Sequence, residues 1–338
     1  MDIPRIDIGP LYHGPSAARD GVDQAIMAAA GQSGFMTITG FPAAIPVDAD
    51  TRHDLLRLFA LPLNSQRKLW RQKFLASQPN VYRGWFPAQD GAVTAKEGID
   101  MGPDVAHGAA VVDPADPLRE ATPLPDEAEL PGWRATAGRY YRGLEETGRL
   151  LMQSVARGLG LPDHSFDDAF TGGISTLRLL HYPVRHAAEL AAIDDPALWV
   201  EHNGGRYVVN GRAHVDSGFM TLLAQDGVPG LQARSHAGAW VDVPPEEGTL
   251  AVNFGKVLDR WTGGRINATE HRVIGMGQPR YSVPFFLEPR VDAEIRPLPL
   301  PGIAPFAPFL FGDYLWATIT KFVEFHGMEG LRAPLRAA

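Results

Sequence analysis

The sequence predicts a mainly β fold with flanking helices: a helical N-terminal part, a sandwich or jelly-roll core, and a closing C-terminal helix. Two observations carry this reading. From Ile174 to about Pro289, short β-type runs recur at near-regular spacing, separated by Gly, Pro, Asn and Asp, the pattern of a paired-sheet core. Before Pro162 the clearest pattern is helical, with Tyr140, Leu144, Gly148, Leu151 and Val155 on one face. The chain has 338 residues, 45% hydrophobic and 21% charged, enough apolar material for a sizeable core. It reads as one domain, with an N-terminal α/β region over 1–165, the β core over 174–290 and a last helix over 312–327.

The elements follow in order. Ile3–Ile8 reads as a strand, and Asp20–Gln32 as a helix with Val22, Ile26, Met27 and Ala30 on one face. Gly34–Thr39 reads as a strand ended by Gly40, and Val47–Phe59 and Ser65–Leu75 as helices. Asn80–Asp104, rich in Gly and aromatics and without periodicity, reads as an ordered loop, a common place for substrate contacts. Pro114–Pro131 crosses the surface, and Gly132–Leu159 forms the long helix. The core strands are expected at Ser175–Tyr182, Arg206–Asp216, Phe219–Gln225, Gly230–Ala233, Trp240–Val243, Thr249–Phe254, Thr269–Ile274 and Arg280–Leu287, with a final helix over Asp313–Phe325. Asn203-Gly204 and Asn210-Gly211 look like two turns flanking a Val-rich strand, a hairpin placed to cover a site.

Composition excludes several functions. The net charge is -8, with 31 basic and 39 acidic residues. With no basic run, the chain lacks the footprint of a nucleic-acid binder and has little attraction for an anionic membrane surface. The absence of cysteine removes disulfides, Cys-rich zinc sites, iron–sulfur clusters and thiol nucleophiles. The opening M-D-I-P-R-I-D-I-G-P has no basic-then-apolar leader, and no run of about 18 apolar residues appears. The expectation is a cytoplasmic protein acting on a small-molecule substrate without nucleic acid, membrane or an obligate protein partner.

Three residues point to a metal. Arg212–Asp216 reads R-A-H-V-D. On a strand the period of two sends His214 and Asp216 to one face. A third ligand is available from His271 in T-E-H-R-V, 55 residues past Asp216. Two imidazoles and one carboxylate make a facial triad with open positions, suited to iron(II) and dioxygen, whereas a structural zinc site closes with protein. Taken singly, H-x-D and His271 are ordinary strand residues. The following strand candidate changes the weighing. Arg280 and Ser282 of R-Y-S share a face, and a buried guanidinium needs a partner. A ligand carboxylate fits its planar fork. The alternative, a salt bridge within the protein, has no obvious acid nearby in sequence. Tyr182 in L-R-L-L-H-Y-P can reach the same carboxylate, or it can be a packed core tyrosine.

These motifs in this order resemble the isopenicillin N synthase-like branch of the iron(II)/2-oxoglutarate-dependent oxygenases. The likeness extends to P-R-I-D-I at Pro4–Ile8, to Gly34-Phe35, to D-G-V-P-G-L-Q from Asp226, and to the stretch Trp240–Phe254. It implies a double-stranded β-helix, iron(II) on His214, Asp216 and His271, and 2-oxoglutarate with its distal carboxylate at Arg280, Ser282 and Tyr182. It implies O2-driven oxidation of an unactivated C–H bond by hydroxylation, desaturation or cyclisation, releasing succinate and CO2. Many plant members carry Asn where this chain has His181. Isopenicillin N synthase itself uses its R-x-S pair for the substrate's carboxylate without 2-oxoglutarate, which is the nearest alternative. A non-catalytic β-barrel binding protein or a cupin-like isomerase is more remote. The segment Tyr82-Arg83-Gly84-Trp85-Phe86 resembles the part of the family that overhangs the metal. Arg83, Trp85 and Phe86, with Phe286 in phase with Ser282, are therefore the expected substrate contacts. Lys96, Glu97 and Asp100 run near the pocket without assigned roles, and Asn253 and Phe254 are expected to be structural.

Overall fold

The computed structural model describes residues 2–88, 96–322 and 324–335. Among the described residues, thirteen strands form two curled sheets. They are β1 Arg5–Asp7, β2 Phe35–Thr39, β3 Gly84–Phe86, β4 Glu97–Met101, β5 Thr176–Tyr182, β6 Trp199–His202, β7 Gly205–His214, β8 Met220–Gln225, β9 Leu231–Arg234, β10 Trp240–Asp242, β11 Leu250–Phe254, β12 His271–Ile274 and β13 Arg280–Leu287. The large sheet has eight strands in the order β1-β2-β11-β8-β13-β5-β4-β3. The small sheet has five, β10-β9-β12-β7-β6. All ladders are antiparallel except β1 with β2. A further short pair, Glu294–Ile295 with Phe309–Leu310, stands apart.

The period of two divides the large sheet into two chemistries. One face carries Trp85, Ile99, Leu177, Leu179, Leu222, Val252, Val283, Phe285 and Leu287, all buried in the main hydrophobic core. Helices cover it. Helix Trp133–Gly158 supplies Tyr140, Tyr141, Leu144, Leu151, Met152 and Val155 to the same core. Gly148 permits its close crossing, because a Cβ there would stand 3.0 Å from Leu287 Cδ1. Helix Ala17–Gln32, started by Ser16 accepting from the Arg19 N–H, is tied to it by the Asp23–Arg157 pair at 2.6 Å. The other face looks toward the small sheet, and little apolar matter fills the gap. One cluster joins Phe35, Leu231, Ala233, Val243, Ala251 and Val273, and another joins Phe86, Leu180 and Tyr182. Apart from Pro284 and Phe286, the rest of that face is largely polar, with Thr176, Arg178, Thr221, Gln225, Asn253, Arg280 and Ser282, which is where a site can form.

The structure departs from the sequence reading in several places. The stretch read as a loop contains β3 and β4, which extend the large sheet to its edge. Both are short and interrupted by Gly and charged residues, so alternation is hard to see. The Ser65–Leu75 helix is replaced by a short one, Leu63–Arg67. Beyond it the backbone pairs elsewhere: the Trp85 N–H donates to Leu69 O at 2.6 Å, and the Arg71 N–H to Trp85 O at 3.0 Å. Val47–Phe59 becomes a helix over Ala49–Leu56, capped by Asp48, with a tighter turn after it. An unexpected helix, Lys256–Thr262, lies between β11 and β12. The last helix is Phe311–Ile319, shorter than expected, since the chain continues in three-residue turns such as Phe322 N–H to Ile319 O at 2.9 Å. Asn203-Gly204 does turn, with φ of 47° and 77°. Asn210-Gly211 does not. Both residues lie inside β7, where the ladder to β12 shifts register twice. Among the described residues, no helix is long and apolar enough to cross a membrane.

Candidate active site

His214 ends β7, His271 begins β12, and the two are direct partners across the small sheet. Asp216 lies two residues past the end of β7, where the chain crosses toward the large sheet. The sequence expectation of one continuous strand through Asp216 is therefore corrected. The residues nevertheless converge. One ligand atom from each of His214, Asp216 and His271 lies within 4.8 Å of the others. The Nε2 atoms of His214 and His271 are 3.6 Å and 3.7 Å from Asp216 Oδ1.

Neighbouring groups fix the direction of each donor. His214 Nδ1 is 2.8 Å from Arg212 O, and His271 Nδ1 is 3.1 Å from Thr269 O. A carbonyl only accepts, so Nδ1 carries the hydrogen and each Nε2 keeps its lone pair for a metal. Asp216 Oδ2 accepts from Thr221 Oγ1 at 2.6 Å and from Asn253 Nδ2 at 2.7 Å, leaving Oδ1 turned to the imidazoles. Thr221 and Asn253 are themselves partners across β8 and β11. Burial, with the neighbouring His271, pulls the His214 pKa down to about 4, so the ring is neutral at pH 7. Burial pushes the Asp216 carboxyl up, but the two imidazoles and the Thr221 and Asn253 donors outweigh it and hold the pKa below its ordinary value. A neutral His214 imidazole beside an ionised carboxylate is suited to binding a divalent cation. The side chain of His214 is 48% exposed, against 10% for His271, so the cluster opens to solvent on one side.

Arg280 lies on β13, between β8 and β5 in the interior of the large sheet, as its expected burial requires. It is 2% exposed. Its Nη2 donates to Gln225 Oε1 at 3.1 Å, whereas Nε and Nη1 are buried without partners among the described residues. Among the described residues, Ser282 Oγ is likewise buried without a partner, on the same face. The nearest acid in the ladder, Asp226, is engaged by the backbone N–H groups of Tyr281 and Val228 at 2.6 Å and 3.1 Å. Tyr182 pairs with Arg280 across β5, its ring 5.5 Å from the guanidinium carbon. Burial pulls the Arg280 pKa down despite these neighbours. Buried donors without acceptors are costly, and a ligand carboxylate would satisfy them.

The four expected substrate contacts divide. Phe86 and Phe286 are on the inner face, and Arg178 approaches both rings, at 5.5 Å and 5.2 Å. Trp85 is not there. It is fully buried on the helix-covered face, edge-on to Phe59 at 5.3 Å, because neighbours in a strand point oppositely. Arg83 is also fully buried, donating to Thr176 Oγ1 at 2.6 Å and Ile174 O at 2.9 Å, so its guanidinium joins segments of the protein and faces no cavity. Sequence reading missed Thr221 and Asn253. The in-phase strands carrying them were legible, but their pairing was not. It also left Arg178 and Asp100 without roles.

The curled sheets and the one-sided His-Asp-His cluster define the class, a jelly-roll protein built around a candidate non-haem iron site. Comparison with known proteins sharpens this. The model of the 2OG-Fe(II) oxygenase superfamily matches residues 177–289. The chain is 31% identical to a 2-oxoglutarate-Fe(II) type oxidoreductase of Emericella nidulans, covering 88% of this chain and 82% of that protein. It is 28% identical to isopenicillin N synthase of Streptomyces clavuligerus, covering 93% of each. Among solved structures it resembles a full-length Neurospora crassa protein crystallised in complex with alpha-KG, with a TM-score of 0.74 and 26% identity over 93% of this chain and 94% of that one. The protein belongs to the 2OG-Fe(II) oxygenase superfamily, and its cofactors are iron(II) and 2-oxoglutarate.

Proposed function

We propose that the protein oxidises a C–H bond of a small organic molecule, with iron(II) held by His214, Asp216 and His271 and the distal carboxylate of 2-oxoglutarate held by Arg280, Ser282 and Tyr182. Bound there, iron and 2-oxoglutarate supply the oxidant: O2 is reduced as the keto acid becomes succinate and CO2, and one oxygen atom is left for the substrate. The observation that carries the reading is the unpartnered Nε and Nη1 of buried Arg280 beside the unpartnered Ser282 hydroxyl. Both stand on the sheet face that also presents Thr221 and Asn253 to Asp216.

The chain's own groups perform defined tasks. Gln225 fixes the Arg280 fork through Nη2, and donates onward to Pro244 O at 3.2 Å, so the remaining guanidinium edge is pre-aimed. Two backbone carbonyls hold the imidazole tautomers. Phe35, edge-on to His271 at 5.9 Å, walls one side against water.

Anaerobic addition of Fe(II) and 2-oxoglutarate should give a weak visible charge-transfer band that His214→Ala abolishes. With a substrate, succinate should form in step with O2 uptake. A second reading, in which Arg280 takes the substrate's own carboxylate and no keto acid is used, draws on the likeness to isopenicillin N synthase. Oxygen uptake with an active substrate but without succinate would favour it and overturn the first.

A further inference from the structure

On the inner face of the large sheet, β4 and β5 carry a second buried cationic centre. Asp100 is 1% exposed and accepts from two guanidiniums. Arg178 grips it with Nε to Oδ1 at 2.5 Å and Nη2 to Oδ2 at 2.8 Å, and Arg71 Nη2 also donates to Oδ2. One carboxylate thus serves two buried cations. Lys96 and Glu324 are paired at 3.6 Å, and Glu324 also interacts with Arg178 and Arg71. Glu288 is the other buried carboxyl on this side, and burial pushes its pKa up to about 8, so at neutral pH it adds little negative charge. Despite its burial, Asp100 and then Glu324 hold the Arg178 pKa above the ordinary arginine value, so its guanidinium is a fixed cation.

Arg71 and Arg178 differ in what surrounds them. Arg71 is enclosed, with its guanidinium over Phe86 at 5.0 Å and Phe325 at 4.8 Å. The side chain of Arg178 is 24% exposed, and its Nη1 has no protein acceptor among the described residues. Its guanidinium stands by Phe86 at 5.5 Å and Phe286 at 5.2 Å. Phe286 is only partly buried, so its ring offers an apolar surface next to a free donor.

The ladder places this centre relative to the metal cluster. Arg178 is opposite Pro284, one inward position from Phe286, and Phe286 is opposite Thr221, which holds Asp216. From β5 across β13 to β8 is two strand spacings, about 10 Å. Arg280 is opposite Tyr182, four residues along β5 from Arg178, so the two arginines stand at different points of the inner face.

We propose that Arg178, fixed by Asp100 and flanked by Phe86 and Phe286, binds a carboxylate on the organic substrate, so that the enzyme acts on small acids with an apolar body. This rests on the oxygenase reading above. A planar fork locked by a buried acid is pre-organised for a second carboxylate, and the aromatic rings accept the adjoining body.

The test uses the full chain with Mn(II) in place of iron and saturating 2-oxoglutarate. Binding of phenylacetate, 3-phenylpropionate and indole-3-carboxylate is measured by calorimetry, each against its methyl ester. Wild type should prefer at least one acid to its ester by tenfold or more. Arg178→Gln should remove that preference while leaving the ester's affinity and 2-oxoglutarate binding within about twofold. Should Arg178→Gln fail to fold because Asp100 loses its main partner, Phe286→Leu serves, weakening acid and ester alike. Equal binding of acid and ester in all three pairs, or an unchanged preference in Arg178→Gln, overturns the proposal. Absence of 2-oxoglutarate binding in the wild type would instead overturn the oxygenase reading.

Discussion

Arg280→Met separates a group kept for a ligand from one kept for stability. Arg280 is 2% exposed, donates one hydrogen bond, to Gln225, and leaves Nε and Nη1 without partners among the described residues. Replacing even a paired buried charge by well-packed apolar side chains of similar volume is neutral or stabilising by about 1–4 kcal/mol, and Arg280 has no paired acid to lose. Losing the donor to Gln225 Oε1 costs about 1 kcal/mol. The ligand-free variant should therefore equal or exceed the wild type by up to about 3 kcal/mol, a melting shift of about 2 °C per kcal/mol. Its ligand response should vanish. Two charge-assisted hydrogen bonds at about 1.5–3 kcal/mol each predict a loss of 2-oxoglutarate affinity of about a hundredfold or more. At 2-oxoglutarate concentrations near 100 times its dissociation constant, the wild type gains about 2.7 kcal/mol from the ligand, and the variant almost none. Thermal unfolding of both proteins, with Mn(II) and with or without 2-oxoglutarate, measures both quantities. A ligand-free Arg280→Met protein destabilised by more than about 1 kcal/mol would refute the reasoning, as would an undiminished ligand shift, because either result makes Arg280 a structural cation.

Other expectations follow from the same geometry. Asn253→Ala removes the 2.7 Å donor to Asp216 Oδ2 and should weaken metal affinity about 10- to 100-fold, read by chelator competition. Trp85→Ala should lower stability by about 3–5 kcal/mol in denaturant unfolding, with the metal and keto-acid affinities of the protein that remains folded unchanged, because the ring is buried away from the cavity. Glu288 titrates near 8 in the folded protein, above its ordinary 4.5, so its contribution is fully present below about pH 4.5 and is lost as pH rises toward 8. Glu288→Gln should flatten the decline of stability between those limits, which unfolding at a series of pH values measures. The wild-type slope from this one group does not exceed about 1.4 kcal/mol per pH unit.

The sequence by itself determined the parts of this protein that depend on local periodicity and on pairs close in the chain. The strand Arg280–Leu287 and the long helix stand almost where alternation and helical spacing put them, since each buries one face along its whole length. Arg280 and Ser282 share a face because they are two residues apart in one strand. Only the tertiary structure decided the rest. β3 and β4 exist because β5 offers them an edge, and their own residues carry too little alternation to announce it. Trp85 and Arg83 left the expected pocket for the same reason of parity, once β3 fixed which way each neighbour points. Thr221 and Asn253 became the anchors of Asp216 through a ladder between strands more than twenty residues apart. The shared use of Asp100 by Arg71 and Arg178 likewise required the folded sheet. Motifs recorded which ligands the chain carries, but the charge left unpaired beside them is a sum over distant segments, and only packing performs that sum.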